Sequence, residues 1–406
     1  MTSLDIMLRC MFGYKWLQIP NTFPESAGIS TRVFVATFLF WLIELPFMCI
    51  HPSKIRILFL VKAAFVPFAC IGLWVWALKN AHGAGAFEFS TTARGSQLGW
   101  AVVSGINAAT SYSAATIVNQ PDLARWAKTP RAQILGQIWS LPLANVFVGF
   151  LGSCVASAGN VIFGKVYWNP WDLLNAMLDE HWNAAYRTGV WFVAFAFAFA
   201  ALGINIGSNS LPFGSDVTGL LPRYINIVRG QILCCCLGLA IVPWKILASA
   251  ASFLNFLSGY ALFMAPITGA MLADYFIVRR GNIDVISFYR GNSTSAYWFW
   301  HGINLRAIVA YFCGWALPLA GFIRSFHPQD SVNAADHMYA LAFTISFLMA
   351  AVVYTSLCYI FPVKLGIPSR TLAFEQWAKD DGILIDGKEE HFADADKILS
   401  VKEQSV

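Results

Sequence analysis

Three carboxamides, Asn107, Asn205 and Asn209, lie in stretches otherwise built of apolar and small residues. An amide carries donors and an acceptor together. Buried without partners it is costly, and at membrane depth it must face protein or a water-filled cavity. A carboxamide matches the lactam or ureide edge of a flat heterocycle, and a site built on one rejects ligands that cannot pair with it. Asn209 is the first candidate for such a contact, with Asn205 and Asn107 behind it. The competing reading is helix packing through small residues, which accounts for the neighbouring Gly, Ala and Ser better than for the amides. Three charged residues lie in or beside the same stretches: Lys62, Lys128 and Asp216. An Asp–Lys pair there could form an inner gate that opens on protonation. Equally, Asp216 could cap a following short helix, since Asp favours N-caps.

The elements that must hold these residues are set by composition. The 406-residue chain has 27 Lys and Arg against 22 Asp and Glu, a net charge of +5, yet only 12% of its residues are charged and 57% are hydrophobic. A soluble domain could not cover its surface with so little charge, and disorder needs the opposite balance. The small positive excess forms no basic stripe, which argues against nucleic acid. The nine cysteines sit largely in apolar runs with no paired CxxC spacing, so they read as small buried hydrophobes rather than a metal site. No HxxxH, Ser–His–Asp or paired-carboxylate pattern supports an enzyme. The first 16 residues lack the apolar run of a cleavable leader.

A bilayer span needs about 20 apolar residues. About nine stretches qualify: 32–50, 56–79, 98–118, 134–158, 188–210, 229–246, 248–275, 304–323 and 338–361. The chain is thus expected to be an all-α integral membrane protein. Residues 1–361 form its core and 362–406 a polar tail. Lys and Arg gather in alternate loops, around Lys54 and Arg56, Arg125 to Arg131, Arg223 and Arg229, and Arg279 to Arg290. Those loops and the tail are expected in the cytoplasm, which would leave the Asn292 sequon unglycosylated. The 98–118 and 188–210 stretches carry Gly105-Ile-Asn107, Thr110 to Ser113 and Gly203 to Ser210. Both are expected to be helices broken near the midplane, the arrangement by which many transporters expose backbone groups to substrate.

Several motifs then carry a resemblance. Asn119-Gln-Pro-Asp-Leu-Ala-Arg-Trp-Ala-Lys-Thr-Pro-Arg131 and Asn209-Ser-Leu-Pro-Phe-Gly-Ser-Asp-Val-Thr-Gly-Leu-Leu-Pro-Arg-Tyr-Ile-Asn-Ile-Val-Arg-Gly230 resemble signatures of the nucleobase–cation symporters (the NCS1 family), in its fungal Fur-type branch. Pro243 to Leu247, Phe253 to Tyr260, Asp274 to Gly281 and Asn304 to Ala307 follow in family order. The resemblance runs from about Leu8 to Pro362. It implies a LeuT-like five-plus-five inverted repeat with two extra helices, of which this chain would hold the end of helix three through helix twelve. About the first three helices, which supply part of the family's substrate site, would be missing.

By resemblance, Asn209 is the amide of helix eight that binds the base, and Tyr112 and Ser113 fall at the helix-six contacts. Other members often have an aromatic at the position of Ser113, so stacking would pass to Tyr112, which reads equally as a packing tyrosine. Phe256, Leu257 and Tyr260 match the outer gate on helix ten, or else face lipid or core. Sodium-coupled members place hydroxyls at the positions of Gly203 and Ile204. Neither residue has a side-chain oxygen, so a proton is favoured over sodium as the coupling ion, with Asp216, Lys128 and Lys62 as coupling or inner-gate residues and no other cofactor. The resemblance thus implies a plasma-membrane permease for a small molecule such as uracil or allantoin. A thiamine or nicotinamide riboside carrier and an inactive truncated product remain alternatives. The tail, with acids from Glu375 to Glu390 beside Lys379, Lys388 and Lys397, reads either as solvated chain or as a contact for the ubiquitination machinery.

Overall fold

Prolines shape the helices of this chain more than breaks do. In the computed structural model, which describes residues 2–50, 55–82, 93–124, 132–248, 250–288, 292–326 and 332–364, nearly all regular structure is helical. Two of the π-helical segments, Gly136–Ser140 and Asn205–Ser210, each end two residues before a proline, Pro142 and Pro212. A proline inside a helix removes one hydrogen bond and pushes on the carbonyl four residues back. Widening the preceding turn to i→i+5 bonding absorbs that misfit without ending the helix.

Seven helices among the described residues are long and apolar enough to cross a bilayer, and they correspond to seven of the nine expected spans. Of the other two, the Ser96–Val118 helix has sufficient length, at 23 residues, but not the apolarity, and Ile227–Ala240 has only 14 residues. The latter is followed by a 3-10 turn, Pro243–Ala248, where Pro243 prevents continuation.

The chain divides into two compact units, Met1–Ser258 and Gly259–Val406. In the first, α1 (Thr2–Phe12) packs on α2 (Thr31–Met48), on α6 (Pro170–Glu180) and on α7 (Ala184–Ile204). Its polar residues are consumed in this docking. Arg9 donates to Asn175 Oδ1 at 2.7 Å and pairs with Asp179, Asp5 pairs with Arg32 at 3.3 Å, and Arg187 donates to the Cys10 carbonyl at 2.6 Å. Helix α3 (Ile55–Asn80) lies against α7 and against α5 (Leu141–Phe163), with α4 (Ser96–Val118) before the latter in sequence. Side-chain caps start several helices. Asn169 accepts from the Asp172 N–H at 2.8 Å, and Asn183 accepts from the Tyr186 N–H at 2.9 Å.

Two apolar clusters hold this unit. One gathers Ile6, Leu173, Leu174, Leu178, Val190 and Ala194 around α1 and α6. The other joins Met48 of α2, Leu202 and Ile206 of the α7 line, Leu211 of α8 (Leu211–Leu220) and Cys235 of α9 (Ile227–Ala240). Helix α10 (Ala250–Leu272) begins in this unit and continues into the second. In the second unit, α11 (Leu305–Ser325) packs on α12 (Ala334–Ala340) and α13 (Ala342–Ile360). Backbones meet closely there: a Cβ on Gly321 would lie 2.1 Å from the Ala335 carbonyl oxygen, and one on Gly269 would lie 2.3 Å from that of Phe347. This is the small-residue packing expected of helices in lipid. All nine cysteines are free thiols, and Cys49 and Cys236 are exposed rather than buried.

Candidate functional site

Helix α7 does not break at Gly203. It runs through the π turn Asn205–Ser210 into α8 as one rod, with helical backbone angles at both junctions. The expected interruption of the 188–210 stretch is therefore corrected to a continuous helix with one widened turn. The same correction holds for 98–118. Helix α4 is unbroken from Ser96 to Val118, and the chain turns only at Asn119, before Pro121. Hydroxyls account for the polar residues that suggested breaks: Thr110 donates to the Ile106 carbonyl at 2.9 Å, and Ser111 donates to that of Asn107. Back-bonding of this kind lets Ser and Thr sit within a helix.

The wider π turn brings residues four apart nearly into register, and Asn209 donates from Nδ2 to Asn205 Oδ1 at 2.8 Å. Asn205 in turn donates from its Nδ2 to Glu44 Oε1 on α2. Glu44 is 5% exposed, and its other oxygen faces the Cys235 thiol at 3.9 Å. Trp41, one turn earlier on α2, donates to the Cys235 carbonyl at 3.0 Å and ties α2 to α9. The result is a file of polar groups running from a buried carboxyl, through half-buried Asn205, to exposed Asn209. Glu44 escaped the sequence reading because it lies in the apolar run Leu39 to Met48 with no motif around it. A lone acid in such a run is itself a signal of function or of a specific partner.

Helix α3 closes another side of the same rod. Lys62 rests against Gly203, its Cδ 3.2 Å from where a Cβ would stand, and Phe59 fills the notch at Gly207, where a Cβ would lie 2.3 Å from the ring. The Lys62 ammonium lies 5.1 Å from the Phe59 ring centre, within cation–π reach.

The remaining expected residues are placed as follows. Asn107 is buried in α4 and Ser113 half-buried on the same helix, while the side chain of Tyr112 lies outside the described residues. Lys128 also lies outside them. Asp216 is exposed in the middle of α8, so it caps no helix; that reading is corrected, since α9 is capped by Asn226, which accepts from the Arg229 N–H at 2.9 Å. The Phe256 side chain is not among those described; Leu257 is half-buried in the first unit, and Tyr260 is exposed in the second. The structure thus joins Asn205 with Asn209, and sets Lys62 of α3 against the same rod at Gly203.

Comparison with known proteins places the family and the fold. The family described as "Permease for cytosine/purines, uracil, thiamine, allantoin" matches residues 2–346. Among curated proteins of Saccharomyces cerevisiae, the allantoin permease is 39% identical over 96% of this chain and 63% of its own length. The uracil permease is 37% identical over 94% and 62%, and the uridine permease 36% identical over 90% and 57%. The chain therefore spans less than two thirds of the length of these relatives. Among solved structures, the nucleobase-cation-symport-1 family transporter Mhp1, closed with bromovinylhydantoin bound, matches with a TM-score of 0.62 at 18% identity, covering 95% of this chain and 74% of that one. Its inward-facing form matches at 0.59. The fold is accordingly that of the Mhp1-type transporters, and the chain belongs to the family of permeases for cytosine and purines, uracil, thiamine and allantoin.

Proposed function

We propose that the chain forms the core of a proton-coupled secondary transporter that carries a nucleobase or a related heterocycle such as uracil or allantoin across the plasma membrane by alternating access. One observation supports this most: a line of hydrogen-bonded amides ends in the exposed carboxamide of Asn209, anchored on a carboxyl buried within a membrane-spanning helix. A flat ring with a lactam or ureide edge is the ligand such an end suits. The permeases to which the chain is 36–39% identical are named for compounds of this kind. Tyr112, Ser113 and Asn107 on α4 are assigned to the same substrate site, and Phe256, Leu257 and Tyr260 to its outer gate.

Proton coupling has two supports. At the positions where the resemblance implies the hydroxyls of sodium-coupled members, Gly203 and Ile204 offer no side-chain oxygen, and the Lys62 side chain occupies the notch at Gly203. Glu44, Asp216 and Lys62 supply groups that can hold or sense a proton within the spans. Uptake of radiolabelled uracil, allantoin and thiamine tests the reading, with the protein expressed from its gene in yeast stripped of its own permeases. Uptake of uracil or allantoin that collapses with a protonophore and persists without sodium is expected. Thiamine uptake alone, or uptake that requires sodium, would contradict the proposal.

A further inference from the structure

In the second unit, α10 and α13 run the same way and meet along one seam. A Cβ on Gly269 would lie 2.3 Å from the Phe347 carbonyl oxygen, and nearer both helix ends Tyr354 donates to Asp274 at 2.8 Å. The π turn Ala273–Val278 continues α10 and widens it there. Beside the seam lies a groove of about 560 Å3. Gly269, Ala273 and Ala351, which line it, are buried or half-buried, whereas Phe276, Leu348 and Val352 are exposed. Both helices have the length and apolarity of spans, so the groove has a floor of small residues and opens between bulky walls toward hydrocarbon. Its lining on α13 runs from Phe347 to Tyr359, about 18 Å at 1.5 Å per residue. One leaflet supplies about half of the roughly 30 Å hydrocarbon core. The groove therefore has the length of a single acyl chain, whereas a helix of a second copy would run through both leaflets.

The end of the groove nearest the α13 terminus is polar, with Ser356 and Tyr359 in its lining. Cations gather at the same end. Arg306 of α11 donates to the Phe361 carbonyl at 2.9 Å and to that of Pro362 at 3.4 Å, which sets its guanidinium at the end of α13. Lys364 follows Pro362 by two residues and Arg280 follows the π turn by two, and both are exposed. Among the described residues, none of these three cations pairs with a carboxylate. The distribution of Lys and Arg argues that this end faces the cytoplasm, where the leaflet surface is negative. The geometry points to a lipid site: one acyl chain of an anionic phospholipid lies in the groove between α10 and α13, and its headgroup meets Arg280, Arg306 and Lys364. The chain covers the small-residue floor, and the charged headgroup supplies the partner that the three cations lack. A zwitterionic lipid fills the groove equally well but balances less of that charge. The site lies apart from Asn205 and Asn209 in sequence and in unit, and it does not depend on which substrate is carried.

The test is native mass spectrometry of the purified protein in detergent, titrated with dioleoylphosphatidylserine or dioleoylphosphatidylcholine. Glycerophosphoserine, the same headgroup without chains, serves as competitor. The unaltered protein is expected to retain the serine lipid about tenfold or more tightly than the choline lipid, the effect of a few cations at the surface. In the double variant Arg280→Gln, Lys364→Gln, that ratio should fall to within about threefold of one. In Ala351→Phe, which fills the floor of the groove, both lipids should bind about tenfold or more weakly. Equal retention of the two lipids by the unaltered protein overturns the inference, as does an unchanged ratio in the charge variant. Displacement of the serine lipid by glycerophosphoserine also overturns it, because a headgroup patch would then suffice without the groove. Undiminished binding in Ala351→Phe does the same, and a lipid-free dimer of chains would assign the groove to a second copy. If Ala351→Phe does not fold, the charge variant and the chainless competitor still decide.

Discussion

At the scale of single residues, the site is a question of which groups can donate. Asn209 and Asn205 were legible in the sequence because amides are conspicuous among Gly, Ala, Ile and Ser. Glu44 was not, because nothing local marks it: its partners lie 161 and 191 residues away along the chain. Contacts of that separation arise only once α2, the α7 line and α9 are assembled. Asp216 failed as a cap for a related reason. Its preference for N-caps is a local tendency, and the helix runs past it because α8 continues from the π turn. Removing the middle of the relay should be as harmful as removing its end. Asn205→Ala leaves the buried Glu44 carboxyl without its amide partner, and a buried polar group so stranded costs about 1–3 kcal/mol. A marked loss of folded protein is therefore expected by fluorescence-detected size exclusion. Unchanged yield would mean that Glu44 is solvated by other means.

At the scale of elements, proline and glycine placement decided what sequence patterning left open. Gly203 to Ser210 reads as an interruption when glycines and amides are counted as breakers. In the folded chain the glycines are notches for α3, and the misfit comes from Pro212 downstream. The repeated Ser-Leu-Pro at Ser140 and Ser210 marks two of the π turns and could have been read as such. Gly207→Ala places a methyl against the Phe59 ring, so the ring or α3 must move, at about 1–3 kcal/mol for an overpacked contact. A lower melting temperature in detergent is expected, and Phe59→Leu in the same chain should restore part of the loss. No restoration would mean that the methyl acts elsewhere. Between α11 and α12, Arg324 donates to both oxygens of Asp336 at 3.0 and 3.2 Å, and the Asn333 N–H adds a third bond at 2.9 Å. These bonds hold the Asp336 carboxyl below its ordinary range. Its contribution is fully present above the pKa of an unfolded aspartate, about 3.9, and is lost as pH falls through the lower native value. Asp336→Asn should therefore flatten the fall in melting temperature on acidification below about pH 5. An unchanged acid slope would remove this pair from the account.

At the scale of the whole molecule, composition alone fixed the class. With 12% charge and 57% apolar residues there was no other place for this chain than a bilayer, and seven helices of the required length and apolarity follow. The count was less legible than the class. Helix α4 has the length of a span but carries Asn107, Thr110, Ser111 and Ser113, and patterning cannot tell a polar span from an internal helix. The distribution of Lys and Arg argues for a cytoplasmic loop at Asn292. Within that loop the Asn292 side chain accepts from the Thr294 N–H at 3.1 Å. The protein from a eukaryotic host is expected to keep its electrophoretic mobility after glycosidase treatment. A shift abolished by Asn292→Gln would invert the topology.

The central claim is that the carboxamide of Asn209 meets the transported ring. Uptake of radiolabelled uracil and allantoin by the unaltered protein and by Asn209→Ala, at matched abundance in the membrane, tests it most directly. The account predicts that the alanine variant loses about tenfold or more of its apparent affinity for both compounds, whereas saturation curves that superimpose would contradict it.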